Sequence, residues 1–206
     1  MEYEVRYYYP KNSYEELITI MEKKNLIKRQ KRYEKTIQYN HPMKEYDFYS
    51  KALDARFRLR ITKSEEFNEC KISYKRRLGK NLSGINEEEE REVHIDVKDF
   101  EEVIYILEKV LHMKKEESYE RYRTVFENDD VEIAIDEYPF GIAVEIESKS
   151  IINPLYVINY WINELGLDES RRYDLSWDDK YQELCIKQNK EIYKFVEFGK
   201  EMPEVK

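Results

Sequence analysis

The 206-residue chain is poor in the residues that interrupt regular structure, with five glycines and five prolines. That scarcity leaves no flexible linker between folded parts, so the expectation is a single domain over residues 1–206. Cysteine is nearly absent: Cys70 and Cys185 carry no metal-ligand spacing and supply no disulfide framework, which fits a reducing compartment. No apolar run reaches the length that crosses a bilayer, and the charged N-terminus is unlike a signal peptide. The expectation is therefore a soluble, cytoplasmic protein without a membrane partner. Positive charge is also short. With 36 Lys and Arg against 44 Asp and Glu the net charge is −8, which argues against a protein whose main task is to grip nucleic acid backbone. The Gly-rich loop ending in Lys-Ser/Thr that cradles phosphates in common nucleotide hydrolases is missing, and no repeat of fixed period occurs.

What is abundant is charge, at 39 %, beside 41 % apolar residues and 19 tyrosines. A conventional core cannot bury that much charge, so either the surface is densely charged or part of the interior is ordered around a ligand. About eight segments read as strands: 3–9, 32–40, 56–62, 69–77, 90–97, 119–126, 131–137 and 142–148. Helical patterns fall at 13–25, with Ser13 and Glu16 spaced as a capping box, at 98–112, and at 153–166, where Pro154 and Gly166 bracket the run. The tail from about 176 to 200 reads as a further amphipathic helix. "ENDDV" at 127–131 reads as a tight hairpin turn. The resulting fold class is α+β: an eight-stranded antiparallel β-barrel, core strands about 2–148, with helices outside, the last of them at about 153–200.

The alternation within the strands is informative. In 56–62, Phe57, Leu59 and Ile61 oppose Arg56, Arg58 and Arg60. In 69–77, Cys70, Ile72 and Tyr74 oppose Lys71, Ser73, Lys75 and Arg77. In 90–97, Val93, Ile95 and Val97 oppose Glu90, Glu92 and His94. In 131–137, Val131, Ile133 and Ile135 oppose Glu132, Ala134 and Asp136, and in 142–148, Ile142, Val144 and Ile146 oppose Ala143, Glu145 and Glu147. The opening strand places Glu2, Glu4 and Arg6 on one face. Any one such strand is an ordinary sheet face washed by water. Repetition in most of the strands, with opposite signs segregated strand by strand, asks for more. Helices need apolar surface to pack on. If they cover the outside, the ionic faces line the lumen, where charges survive only when paired or bound to a charged ligand. A polyphosphate chelated to a divalent cation matches a lumen of both signs.

These residues, in this order, resemble the CYTH superfamily, the triphosphate tunnel metalloenzymes. Its opening Glu-x-Glu-x-Lys strand is matched by Glu2, Glu4 and Arg6; its paired-arginine strand by Arg58 and Arg60; its following strand by Ser73-Tyr74-Lys75; its acidic strand by Glu90 and Glu92. Its Lys-x-Arg strand is matched by Arg121 and Arg123, and its last strands by Asp136, Gly141, Glu145 and Glu147. Arg6 and Arg121 stand where lysine is usual. The resemblance implies that Glu2, Glu4, Asp136, Glu145 and Glu147 hold Mg²⁺ or Mn²⁺ and act in catalysis. It implies that Arg6, Arg58, Arg60, Lys75, Arg121 and Arg123 position the triphosphate, with Glu90 and Glu92 orienting basic residues. The implied activity is a metal-dependent triphosphatase acting on inorganic triphosphate or a nucleoside or organic triphosphate. Class IV adenylate cyclase, RNA 5′-triphosphatase and a non-catalytic polyphosphate- or nucleotide-binding module are the alternatives. Small-molecule triphosphate is the expected partner, and a homodimer stays open. The tail residues Trp177, Tyr181 and Leu184 read as packing.

Overall fold

The computed structural model describes residues 3–47, 55–80 and 86–206; Glu2 lies outside them. In chain order the elements are β1 (Glu4–Tyr9), α1 (Tyr14–Glu22), β2 (Ile27–Lys28), β3 (Arg32–Asn40), β4 (Ala55–Lys63), β5 (Asn68–Lys80) and β6 (Asn86–Ile95). There follow α2 (Phe100–Tyr105), continued by a π-helical turn at Ile106–Val110, then β7 (Lys114–Glu127), β8 (Val131–Tyr138) and β9 (Gly141–Ser148). α3 (Pro154–Leu165), α4 (Trp177–Gln188) and β10 (Phe195–Val196) complete the chain. β1–β9, β2–β7, β3–β4, β4–β5, β5–β6, β7–β8 and β8–β9 pair antiparallel, and β10 pairs parallel with β7. β1 pairs with β9 and β6 with β5, and among the described residues each has that one strand partner, so the pairing is not that of a hydrogen-bonded ring.

The chain divides into two compact units. The first comprises Tyr33–Glu120 and Lys194–Glu197, and the second Glu2–Arg32, Arg121–Tyr193 and Phe198–Lys206. β7 begins in the first and ends in the second.

In the second unit the apolar parity of β1, β8 and β9 faces helices, as the alternation requires. Tyr7, Ile133, Ile135, Val144 and Ile146 pack with Leu17 and Met21 of α1 and with Ile158, Trp161 and Leu165 of α3. Each fully buried aliphatic side chain there contributes roughly 1.5–3 kcal/mol. In the first unit Ile37, Tyr39, Leu59 and Cys70 pack with Leu107 and Met113, and Phe100, Val103 and Ile104 join them. In both units the charged parity of the strands is therefore the face turned away from α1, α2 and α3.

β4, β5, β7, β8 and β9 run longer than their alternating stretches, β3 matches its own, β1 starts one residue later and β6 starts earlier and ends at Ile95; β2 and β10, two residues each, have no period to read. Asn128 makes the expected turn: its Oδ1 accepts from the backbone N–H groups of Asp130 and Val131. Pro154 opens α3, and Gly166, at φ 61°, ends it in the left-handed conformation that glycine tolerates. The capping box expected at Ser13 does not form. Ser13 is itself helical (φ −80°, ψ −6°), because a 3₁₀ turn at Lys11–Ser13 already leads into α1, and a cap needs an extended residue. The box occurs instead at Ser176 and Asp179, opening α4. The tail helix is shorter than expected: Asn189, at φ 52°, terminates α4. Among the described residues no helix is long and apolar enough to cross a membrane.

Candidate functional site

In the second unit, register brings the charged parity of four strands together. Arg6 opposes Glu145, Ala143 opposes Asp136, and Asp136 opposes Arg123. The side chains form a continuous ionic chain. Arg6 Nε donates to Glu145 Oε1 at 2.7 Å. Arg123 donates to the other oxygen of Glu145, and to both oxygens of Asp136 at 2.6 Å. Arg121 Nη1 donates to Asp136 Oδ2 at 2.9 Å and to the Tyr138 hydroxyl at 3.3 Å. Three guanidinium groups thus enclose two carboxylates. Asp136 is fully buried and Arg121 nearly so.

Burial alone would raise the Glu145 carboxyl, but Arg6, Arg123 and Arg121 reverse it and hold the group well below the usual carboxylate range. Burial works against the charged forms of Arg6 and Arg123, yet Glu145 raises Arg6, and Asp136 with Glu145 raises Arg123. Tyr8 shares this face; burial pushes its phenol up, and its buried hydroxyl has no hydrogen-bond partner among the described residues. One end of the face is capped from α4, where Trp177 stacks on Tyr138 with ring centroids 6.2 Å apart, and Arg6 Nη1 reaches the Leu175 carbonyl at 3.5 Å. The tail is therefore packing, as its composition suggested, but packing placed on the charged face.

A row of acids lies one step along the strands. Glu4 opposes Glu147, Glu147 opposes Glu132, and Glu132 opposes Glu127. Glu127 is neutralised by Arg29 and Lys149. Directly opposed like charges destabilise a sheet, a cost that a hard cation removes, and an oxygen-only donor set is the kind Mg²⁺ and Mn²⁺ prefer. Glu4, Glu147 and Glu132 are donors of that type, with Glu4 Oε1 also accepting from Arg6 Nη2 at 3.4 Å. Asp136 and Glu145 do not fit in this arrangement, because guanidinium donors take the oxygens a cation would need. Among the described residues no three acidic, His or Cys side chains close on one metal-sized point.

The first unit has a different character. On its charged face Arg58 opposes Gln38 and Ser73, Arg60 opposes Thr36 and Lys71, and Arg56 opposes Lys75. Arg60 Nε donates to Thr36 Oγ1 at 3.0 Å and Nη2 to the Tyr119 hydroxyl at 3.3 Å, with Glu34 4.0 Å away. Among the described residues Arg58 has no ion pair, and burial, together with Arg56 and Arg60, lowers its pKa. At β6 the sign changes. Glu92 pairs with Lys71 at 2.7 Å, and although burial opposes it, that lysine lowers the carboxyl. Glu90 opposes Lys75. His94 is exposed against Glu69 at 2.6 Å, a surface pair.

The expected residues therefore fall into two sets. Glu4, Arg6, Arg121, Arg123, Asp136, Glu145 and Glu147 share one face of the second unit, and Arg58, Arg60, Lys75, Glu90 and Glu92 share one face of the first. Sequence reasoning passed over Glu132, Tyr8, Tyr138 and Gln38. Glu132 was legible, being on the charged parity of "VEIAID". The other three are uncharged, so an argument from charge alternation could not select them.

No family model matches the chain, and no curated protein matches it. Solved structures do. The PH1012 protein from Pyrococcus horikoshii OT3 superimposes with a TM-score of 0.64 at 19 % identity, covering 86 % of this chain and 97 % of its own. A protein of Vibrio parahaemolyticus described as a "putative adenylate cyclase" gives 0.63 at 12 % identity, covering 86 % and 95 %. A "putative adenylyl cyclase" from Hippeastrum, described as revealing a dominant triphosphatase activity, gives 0.61 at 16 % identity, covering 93 % and 98 %. The likeness spans nearly the whole of each, and it is a likeness of fold.

Proposed function

Taking the CYTH-type fold shared with these structures as the premise, we propose that the protein is a divalent-cation-dependent hydrolase of triphosphates, inorganic or organic. The observation that carries this reading is the adjacency, on one face of the second unit, of a guanidinium row and a carboxylate row. Arg6, Arg123 and Arg121 stand beside Glu4, Glu147 and Glu132. A metal-chelated triphosphate carries both signs, and this face answers both.

In this reading Glu4, Glu147 and Glu132 hold Mg²⁺ or Mn²⁺. The bound cation supplies polarisation of phosphoryl oxygens. Arg6, Arg121 and Arg123 contact phosphoryl oxygens and offset charge that develops as the terminal phosphoryl leaves. Their rigid forks are held in place by Asp136 and Glu145, which act as positioning residues. No protein nucleophile is required, because water attacks.

The experiment is a panel of inorganic triphosphate, ATP, GTP and thiamine triphosphate with Mg²⁺ or Mn²⁺, assayed for orthophosphate and for cyclic AMP. Phosphate release supports the hydrolase. Cyclic AMP from ATP would assign a cyclase instead, and tight binding without turnover would assign a binding module.

A further inference from the structure

Gln38 of β3 and Arg58 of β4 are register partners on the charged face of the first unit. Gln38 is 4 % exposed, yet among the described residues its amide Nε2 meets no acceptor. Arg58 Nε is also buried without an acceptor among them. Buried donors are paired in the great majority of cases, because an unmade hydrogen bond is costly. Here two unmade bonds belong to directly opposed residues, whose Cβ atoms lie about 4.5–5.5 Å apart in such pairs. The next rung shows the contrast. Thr36 opposes Arg60, and its hydroxyl accepts from Arg60 Nε at 3.0 Å. The same geometry satisfies one arginine and leaves its neighbour open, because position 38 carries an amide whose donor end is unmatched.

We infer that Gln38 and Arg58 form a two-donor notch for one oxyanion on the charged face of the first unit, which makes Gln38 an anion-contacting residue. An anionic oxygen has lone pairs for both donors. The amide adds a hydrogen bond without adding charge beside Arg56, Arg58 and Arg60, where burial and mutual repulsion already lower Arg58. That the oxyanion is a phosphoryl group rests on the triphosphatase reading.

The test titrates inorganic triphosphate into the full chain by calorimetry at fixed ionic strength, for wild type, Gln38→Met and Gln38→Glu, with thermal unfolding of each ligand-free protein. Methionine keeps the bulk and removes the donor. The notch predicts affinity about tenfold weaker in Q38M, with the ligand-free Tm raised by about 2–6 °C, since an unpaired buried donor has gone. The carboxylate of Q38E would occupy Arg58, and binding falls by roughly a hundredfold or more. Unchanged affinity in Q38M overturns the inference. So does a lowered Tm with unchanged affinity, which would make the amide a structural partner of Arg58, and so does wild type that binds no triphosphate. Turnover separates this from the hydrolase reading: wild type that binds triphosphate, loses it in Q38M and releases no phosphate sinks the hydrolase and leaves the notch standing.

Discussion

Arg123 grips Asp136 at both oxygens, Nε reaching Oδ1 and Nη2 reaching Oδ2, each at 2.6 Å. Asp136 is fully buried, and with Glu145 it raises Arg123 against the effect of burial. Removing its charge takes one carboxylate bond from Arg121 and two from Arg123, which keeps its bond to Glu145. Asp136→Asn is expected to lower stability by about 3–5 kcal/mol, read as a fall in the denaturant midpoint at constant slope. A loss below about 1 kcal/mol would mean that water, not Asp136, supports the arginines.

Lysine cannot reproduce the fork. Arg123→Lys keeps the charge but gives up the paired bonds to Asp136 and the bond to Glu145. The expected cost is about 1–3 kcal/mol of stability, together with a fall in triphosphate affinity in the same titration. A lysine variant equal to wild type in both would show that charge alone matters at this position.

Acid should weaken the fold through Glu145. Its folded-state pKa is depressed, mainly by Arg6 and Arg123 once the opposing effect of burial is overcome. A depressed carboxyl contributes stability that is fully present above its unfolded value, about 4.3, and that is lost as the pH falls from there toward the folded value. Denaturation measured between pH 7 and pH 3 should show a steep loss below about pH 4.5 in wild type. Glu145→Gln should start less stable and fall less steeply over that window. Parallel curves would exclude Glu145 as the source.

How much of this was legible in the sequence follows from what a period of two can encode. Which face of each strand is charged was readable from positions such as Arg58, Arg60, Glu145 and Glu147, and the helices do pack on the apolar parity. Register was not readable, because sliding a strand by two residues preserves the alternation. The bonds from Arg123 to Asp136 and Glu145, which depend on register, could not be read for that reason. Ser13 failed as a cap because its spacing to Glu16 says nothing of the 3₁₀ turn before it. Gln38 gave no signal, since only burial beside Arg58 distinguishes it.

Gly141 is a packing requirement that the fold makes visible. A Cβ there would meet Val205 Cγ2 at 2.6 Å and the Tyr9 carbonyl at 3.1 Å. Gly141→Ala is expected to cost about 1–3 kcal/mol. Adding Val205→Ala should recover part of that cost, because it removes the nearer obstacle. A double variant no better than the sum of the singles would place the strain at Tyr9 instead.

The most direct measurement is the initial rate of orthophosphate release from inorganic triphosphate, with Mg²⁺ or Mn²⁺ and again with excess chelator, for wild type and Glu147→Gln. The expected result is cation-dependent release by wild type, abolished by chelator and reduced at least a hundredfold in E147Q, on the order of the loss of one dominant electrostatic contributor. Release that survives both the chelator and the substitution, or none from any triphosphate in the panel with either cation, would contradict a hydrolase built on these two charged rows.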